Sequence, residues 1–359
     1  MNNMSNMKKA LLLCFVAAIT ACTPESEFGP LDGEAGPQEG ENIQYEIISS
    51  DYINPVCPVD GPDPCVNRDA DGMFYAYTTD AKIFKSEDLV NWIQLDGAFN
   101  GVVYPWWLNG GGFAAPCVHY INGKYVMYYS MMIWGGDIEN GIGIAVSKTP
   151  EGPFSDLGKM FTSAEIGVLN SIDPCYYYHN DKHYLIWGSF HGGVWIAELT
   201  KNAYKINKDV PIVQLAGLIY EGTMIYERDG YFYLFCSKGD CCSGLNSNYQ
   251  VVVGRSKNLY GPYVDKQGRS MVENHAELIM SSSEDFKGPG HHSELIVDDE
   301  GKTWIVYHAW NVNEPEAGRC LMLDEVKWDS EGWPYIDVPS RKLKKGPVFK
   351  KLKTDNDNE

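Results

Sequence analysis

Three carboxylic acids head look-alike segments of this chain. Asp63 opens "DPCVNRDADGMFYAYTT", Asp173 opens "DPCYYYHNDKHYLIWGS" and Glu221 opens "EGTMIYERDGYFYLFCS". Ala115, in "APCVHYINGKYVMYYS", and His291, in "HHSELIVDDEGKTWIVYHAW", head two further copies. Acids that share one water-poor space hold their protons unequally, because desolvation and like charge push their pKa values apart. Such a set suits general acid and general base work on a single bond. The competing role is turn chemistry, since Asp before Pro is good loop sequence at a strand start. Turn chemistry alone does not call for acids at the same position of separate units, so the catalytic reading is preferred.

The segments themselves specify what positions these residues. Each has a short apolar strand, a polar turn with Gly or Asp, and a second strand such as "FYAYTT", "YVMYYS", "HYLIWGS", "YFYLFCS" or "TWIVYHA". Two strand-like runs around turn residues signal a hairpin. A third strand with small residues follows, as in "GIGIAVSKTPEGPF", "GGVWIAEL" and "QVVVGRSKNLYGPY". Five units of roughly fifty residues, each with about four strands, predict an all-β, five-bladed β-propeller over residues 44–350. In that fold the first strands line a central channel, and the head residues converge on its axis. The 23 tyrosines and 13% aromatic content suit strands with aromatic pairs better than a helical bundle.

Charge and the chain ends narrow the function further. A formal charge of −19 excludes a nucleic-acid role, because phosphate binding needs a basic surface. Lys8 and Lys9, an apolar run from Ala10 to Ile19 and then "AITAC" read as a signal peptide over residues 1–21. A small residue before Cys22 resembles a bacterial lipobox, which implies cleavage there and lipidation of Cys22; an ordinary secretion signal is the alternative. Residues 22–43 read as an acidic, Pro/Gly-rich tether and 351–359 as a flexible tail. The expectation is an extracytoplasmic protein, held to a bacterial outer membrane through its lipid anchor only.

With these motifs in place, the chain resembles glycoside hydrolase family 43, propellers that cleave arabinose- or xylose-containing polysaccharides. "PDPCV" with "KSEDLVNW" looks like the family's first blade, and "GFAAPCVHYINGKYVMYYS" like its second. "NSIDPCYYYHNDKHYLIWGSFHGGVWIAEL" and "YLFCSKGDCCSGLNSNYQVVVGRSKNLYGPY" resemble the arabinanase branch, and "GPGHHSELIVDDEGKTWIVYHAWN" completes the fifth blade. The resemblance implies Asp63 as general base, Glu221 as general acid and Asp173 as the carboxylate that orients the acid and tunes its pKa. It implies inverting hydrolysis of α-1,5-L-arabinofuranosyl bonds in arabinan, endo-arabinanase-like, by a monomer that needs no cofactor. Inversion needs the two carboxyls about 6.5–9.5 Å apart, to admit a water. The chain departs from the pattern at Cys117, where many relatives have Asp, and at Phe113, where they often have Trp.

Other residues have competing roles. Phe113, Trp106 and Trp107 offer faces that stack on sugars, and inter-blade packing competes for the tryptophans. Arg319 and His291 are candidates to bind substrate, with a surface salt bridge the alternative for Arg319. The family likeness places His308 near a water-coordinated calcium or a chloride; a hydrogen-bonded core histidine is the alternative, and calcium prefers oxygen ligands. Cys65, Cys117 and Cys175 follow three of the head residues and read as small apolar fillers. No CxxC pair or His/Cys spacing points to zinc. Cys57 and Cys65 are a conceivable disulfide, and no redox state follows for Cys241 and Cys242. Two rivals remain: an exo-acting α-L-arabinofuranosidase or β-xylosidase on the same fold, and a non-catalytic glycan-binding propeller.

Overall fold

A computed structural model describes residues 45–352. The proposed signal peptide, Cys22, the tether and the end of the tail lie outside the described residues. Four blades are four-stranded antiparallel sheets in plain sequence order. Blade 1 comprises Cys65–Arg68, Phe74–Thr78, Lys82–Ser86 and Ile93–Gln94. Blade 2 comprises Gly112–Ile121, Lys124–Met132, Gly141–Ser147 and Ser155–Thr162. Blade 3 comprises Cys175–His179, Lys182–Trp187, Val194–Glu198 and Val213–Ala216, and blade 4 Glu221–Arg228, Tyr231–Lys238, Gln250–Ser256 and Glu277–Met280. The expected five-bladed β-propeller is the fold observed.

Blade 5 closes the ring. Its second and third strands are Thr303–Asn311 and Arg319–Trp328. The first-strand place is shared by Phe286–Gly290 and Ile296–Val297, both paired to Thr303–Asn311. The fourth is shared by Pro334–Ile336 and by Cys57–Asp60, a strand that precedes blade 1 in the chain. Chain connectivity therefore ties blade 5 to blade 1. Buried Asn54 extends that clasp: its side chain donates to Leu323 O (2.9 Å) and accepts from Leu323 N (2.9 Å). Tyr45–Ile48 also pairs with Phe349–Leu352, so regular structure enters the segment read as tail.

Second strands are buried on both faces, because blades pack face to face around the axis. Phe74–Thr78 is buried at every residue, and reads as an unbroken apolar run rather than an alternating one. Aromatic residues fill the spaces between blades, with Trp187, Tyr128, Tyr129, Tyr233 and Phe154 fully buried.

The head residues share a backbone state that their types do not advertise. Asp63 (φ 58°), Ala115 (φ 43°), Asp173 (φ 58°), Gly222 (φ 54°) and His291 (φ 40°) all lie in the left-handed region. In blades 2 and 4 the pairing of first and second strands shifts register there, as at a β-bulge, and in blade 5 it shifts just before His291, between Lys287 and Gly290. Each left-handed residue is locked to the preceding blade. Ala115 N donates to Thr79 Oγ1 (3.0 Å), Asp173 N to Ser130 Oγ (2.9 Å), His291 N to Ser237 Oγ (2.8 Å) and Asp63 N to His308 Nδ1 (3.1 Å). Gly222 N alone departs, donating to Asp173 Oδ2 (3.2 Å). Glu221 is thus one residue before the true equivalent of Asp173, not in register with it. The glycine that follows is required: a Cβ on Gly222 would stand 3.0 Å from the His291 ring.

Removing one lock leaves a buried N–H without an acceptor, at a cost of about 1–3 kcal/mol. Ser237→Ala, whose hydroxyl is fully buried, is expected to lose that much in urea denaturation. An unchanged midpoint and slope would show that the His291 N–H finds another partner.

Candidate active site

Asp63, Asp173 and Glu221 meet at one mouth of the channel, in a cleft of about 730 Å³ that all three line. All three are buried, yet their surroundings differ. Asp63 Oδ1 lies 3.2 Å from Arg319 Nη1, 3.3 Å from His291 Nδ1 and 3.3 Å from His308 Nδ1. Its Oδ2 accepts from Thr79 Oγ1 at 2.6 Å. Burial alone would raise this carboxyl; the Arg319 guanidinium first, and the His291 ring after it, outweigh burial and hold Asp63 well below the usual carboxylate range. Asp63 is therefore the charged member.

Among the described residues, no cation forms an ion pair with Glu221. Ser189 Oγ donates to Oε2 (2.5 Å) and Tyr249 Oη to Oε1 (2.6 Å). Burial pushes the Glu221 carboxyl up to about 7, the two hydroxyls pull it down, and the charge of Asp63 adds to the rise. Asp173 is also raised, first by burial, then by the charges of Glu221 and Asp63. Only the Gly222 N–H and the more distant Arg319 oppose that. Asp173 Oδ2 stands 3.8 Å from His291 Nδ1, so one ring faces both aspartates. A cleft with one ionised and one protonated carboxyl holds a base and an acid ready at neutral pH.

The other expected residues fall as follows. His291 and Arg319 line the cleft, and Arg319 makes its ion pair with Asp63 inside it rather than on the outer surface. Phe113 lines the cleft but is only 2% exposed, stacked on Tyr129 at 5.1 Å between ring centres. Trp106 is 68% exposed, packs on Tyr104 and stands outside the cleft lining, whereas Trp107 donates to Tyr129 Oη. His308 is fully buried; its Nδ1 accepts the Asp63 N–H, and its Nε2 has no partner among the described residues. An orphaned ring nitrogen of this kind fits a water or a water-shelled ion. Cys57 and Cys65 are free thiols, and Cys241 and Cys242 form a disulfide on the cleft wall.

The sequence profile of glycosyl hydrolases family 43 matches residues 52–334. The chain belongs to glycosyl hydrolases family 43. It is a glycoside hydrolase. It is 33% identical over 264 residues to the extracellular endo-α-(1→5)-L-arabinanase 1 of Bacillus subtilis, covering 70% of this chain and 79% of that one. It is 32% identical over 310 residues to the extracellular exo-α-(1→5)-L-arabinofuranosidase ArbA of Cellvibrio japonicus, covering 78% and 87%. The solved α-L-arabinanase of Cellvibrio cellulosa, in complex with arabinohexaose, superposes with a TM-score of 0.71 at 29% identity over 78% of this chain and 96% of that one.

Within this family-43 cleft, sequence reasoning missed four residues. Thr79 and Ser189 follow closely on the second strands of their blades, a position the repeat marks with Thr, Ser or His. Tyr249 ends the loop that carries the Cys-Cys-Ser-Gly element, and Gly290 makes room for it, since a Cβ there would meet the Tyr249 ring at 2.3 Å. Trp134, 76% exposed, lines the cleft from the loop after the second strand of blade 2, and no repeat position flags it.

Glu221 must be protonated to act as an acid, so kcat/KM is expected to fall above about pH 7. Tyr249 stabilises the ionised form, so Tyr249→Phe raises the Glu221 pKa and moves the alkaline limb to higher pH. Arg319→Met removes the cation that keeps Asp63 ionised, and moves the acid limb upward. A pH–rate profile of each variant checks both signs.

Proposed function

We propose that this chain hydrolyses α-1,5-L-arabinofuranosyl bonds of arabinan with inversion, cutting within the polymer. The observation that carries the reading is the split between an ionised Asp63 and a raised Glu221 across one family-43 cleft. Glu221 gives its proton to the glycosidic oxygen as the bond from that oxygen to the anomeric carbon breaks. Asp63 takes a proton from the water whose oxygen bonds to that carbon from the opposite face. Solvent then returns both groups to their starting states. Asp173 acts through its neighbours: it accepts the N–H of the residue after Glu221 and faces the ring that faces Asp63. Trp134 offers an exposed face for a sugar, with Phe113 behind the wall.

Five blades of a single chain complete the cleft, which supports action as a monomer. The lysine pair, the apolar run and the small residue before Cys22 support export and a lipid anchor, and the B. subtilis and C. japonicus relatives carry the description extracellular. The buried, unpartnered Nε2 of His308 would hold a water or a water-shelled ion behind Asp63, with no part in the proton transfers.

Proton NMR of the first product from debranched arabinan is expected to show the inverted anomer, and chromatography a mixture of oligosaccharides. Arabinose alone would favour the exo-acting reading, and sugar from xylan but not arabinan the xylosidase. Asp63→Asn and Glu221→Gln are each expected to lower kcat by about 10²–10⁴-fold with circular dichroism unchanged. Full activity in either variant would remove the assignment.

A further inference from the structure

Directly beneath the carboxylates, the channel narrows to a cavity of about 30 Å³ walled by Cys65, Cys117, Cys175, His292 and Glu294. That is enough for about one or two waters, and room for a single ion. Cys117 and His119 stand two apart on the first strand of blade 2, so they share a face. Ring geometry brings Cys65 of blade 1 against them. The ligand atoms of Cys65, Cys117 and His119 lie within 4.8 Å of one another. Glu294, from the gap in the first strand of blade 5, puts Oε1 3.1 Å from His119 Nε2 and 3.8 Å from Cys175 Sγ.

Among these groups the His119 ring is the one left poorly satisfied. His119 Nε2 is shielded from solvent and makes no aligned hydrogen bond, even with Glu294 beside it. Both sulfurs accept from backbone: Val118 N donates to Cys65 Sγ (3.3 Å) and Tyr176 N to Cys117 Sγ (3.2 Å). The backbone N–H groups hold both sulfurs in place and turn them toward the same space. Apolar filler needs neither those donors nor an imidazole and a carboxylate alongside.

We propose that Cys65, Cys117 and His119 bind zinc in a tetrahedral site that Glu294 completes by swinging in from beside His119, stapling blades 1, 2 and 5 beneath the catalytic cleft. Two thiolates neutralise the ion, and a borderline-soft metal suits sulfur with nitrogen. Bonds of about 2.0–2.3 Å set ligand separations of about 3.3–3.8 Å, so Cys65, Cys117 and His119 must draw in by up to about 1 Å and the Glu294 carboxylate must rotate toward them. Binding expels both thiol protons to solvent and involves no change of oxidation state. The site is separate from His308, on the second strand of blade 5.

The test is zinc and cobalt titration of the full mature chain, purified under reduction and stripped by chelator. One equivalent of zinc is expected, with a raised Tm that chelator reverses. Cobalt should give thiolate-to-metal charge-transfer absorption. Cys117→Ser should abolish that absorption, and His119→Gln should weaken zinc binding by at least about tenfold. Should Cys117→Ser fail to fold, His119→Gln and the stripped wild type still decide. No stoichiometric zinc on the reduced, folded wild type would overturn the proposal. So would equal retention by both variants, or a Cys65–Cys117 disulfide in the peptide map of the exported protein.

Discussion

The site depends on a ring of hydrogen bonds between blades. Five residues with positive φ point their backbone N–H groups outward, and four are caught by a side chain from the end of the preceding blade's second strand. A left-handed residue that is not glycine carries strain, and persists only where its surroundings hold it. The locks supply that hold. They convert a rotational repeat, which by itself fixes blades only loosely, into a set of side chains aimed at one point. Asp and His tolerate this conformation better than most residues, so the backbone demand and the chemical demand coincide at Asp63, Asp173 and His291.

One cation then divides three acids into unequal partners. Arg319 pairs with Asp63 at 3.2 Å and supports Asp173 and Glu221 only from farther away. Both imidazoles beside Asp63 are depressed by burial, His308 to about 4, so they stay neutral at neutral pH and serve as dipoles. With a single full positive charge available, a single carboxylate is stabilised. The other two acids share the cost of burial, and a charge on either raises its partner, so they titrate as a pair. Acid and base roles are therefore set by where Arg319 sits more than by the identity of the acids.

The fold was legible because hairpin chemistry repeats locally: strand, turn and strand lie within about twenty residues, and each copy carries its own turn signal. Asp63 and Asp173 were legible for the same reason. The one-residue offset at Glu221 was not, because a bulge adds a residue without altering the strand pattern on either side. Tyr249 reaches Glu221 through a loop whose path no periodicity encodes. Trp134 stands on a loop too, and exposure leaves no sequence trace. The grouping of Cys65, Cys117 and His119 was not legible, because metal spacing was sought along the chain, whereas a propeller brings side chains together across blades. Cys57–Asp60 was hidden differently: it pairs with Arg319–Trp328, more than 250 residues away, and only closure of the ring brings them together.

The exception in blade 4 shows how the scaffold yields to the chemistry. Ser189 occupies the place from which Thr79, Ser130, Ser237 and His308 lock their neighbours, yet its hydroxyl goes to Glu221. The fourth N–H, on Gly222, is left to find its own acceptor and takes Asp173 Oδ2. One substitution in the ring thus does two things at once. It frees a hydroxyl to fix the acid, and it draws the third carboxylate against the backbone of the residue next to that acid. An apolar residue at 173 would leave the Gly222 N–H buried and unpaired, and an amide there could still accept. Asp173 is therefore constrained by the ring as well as by the reaction. A change there loosens blade 4 from blade 3 at the point where Glu221 must be held still, so its effect on rate acts through position before it acts through charge.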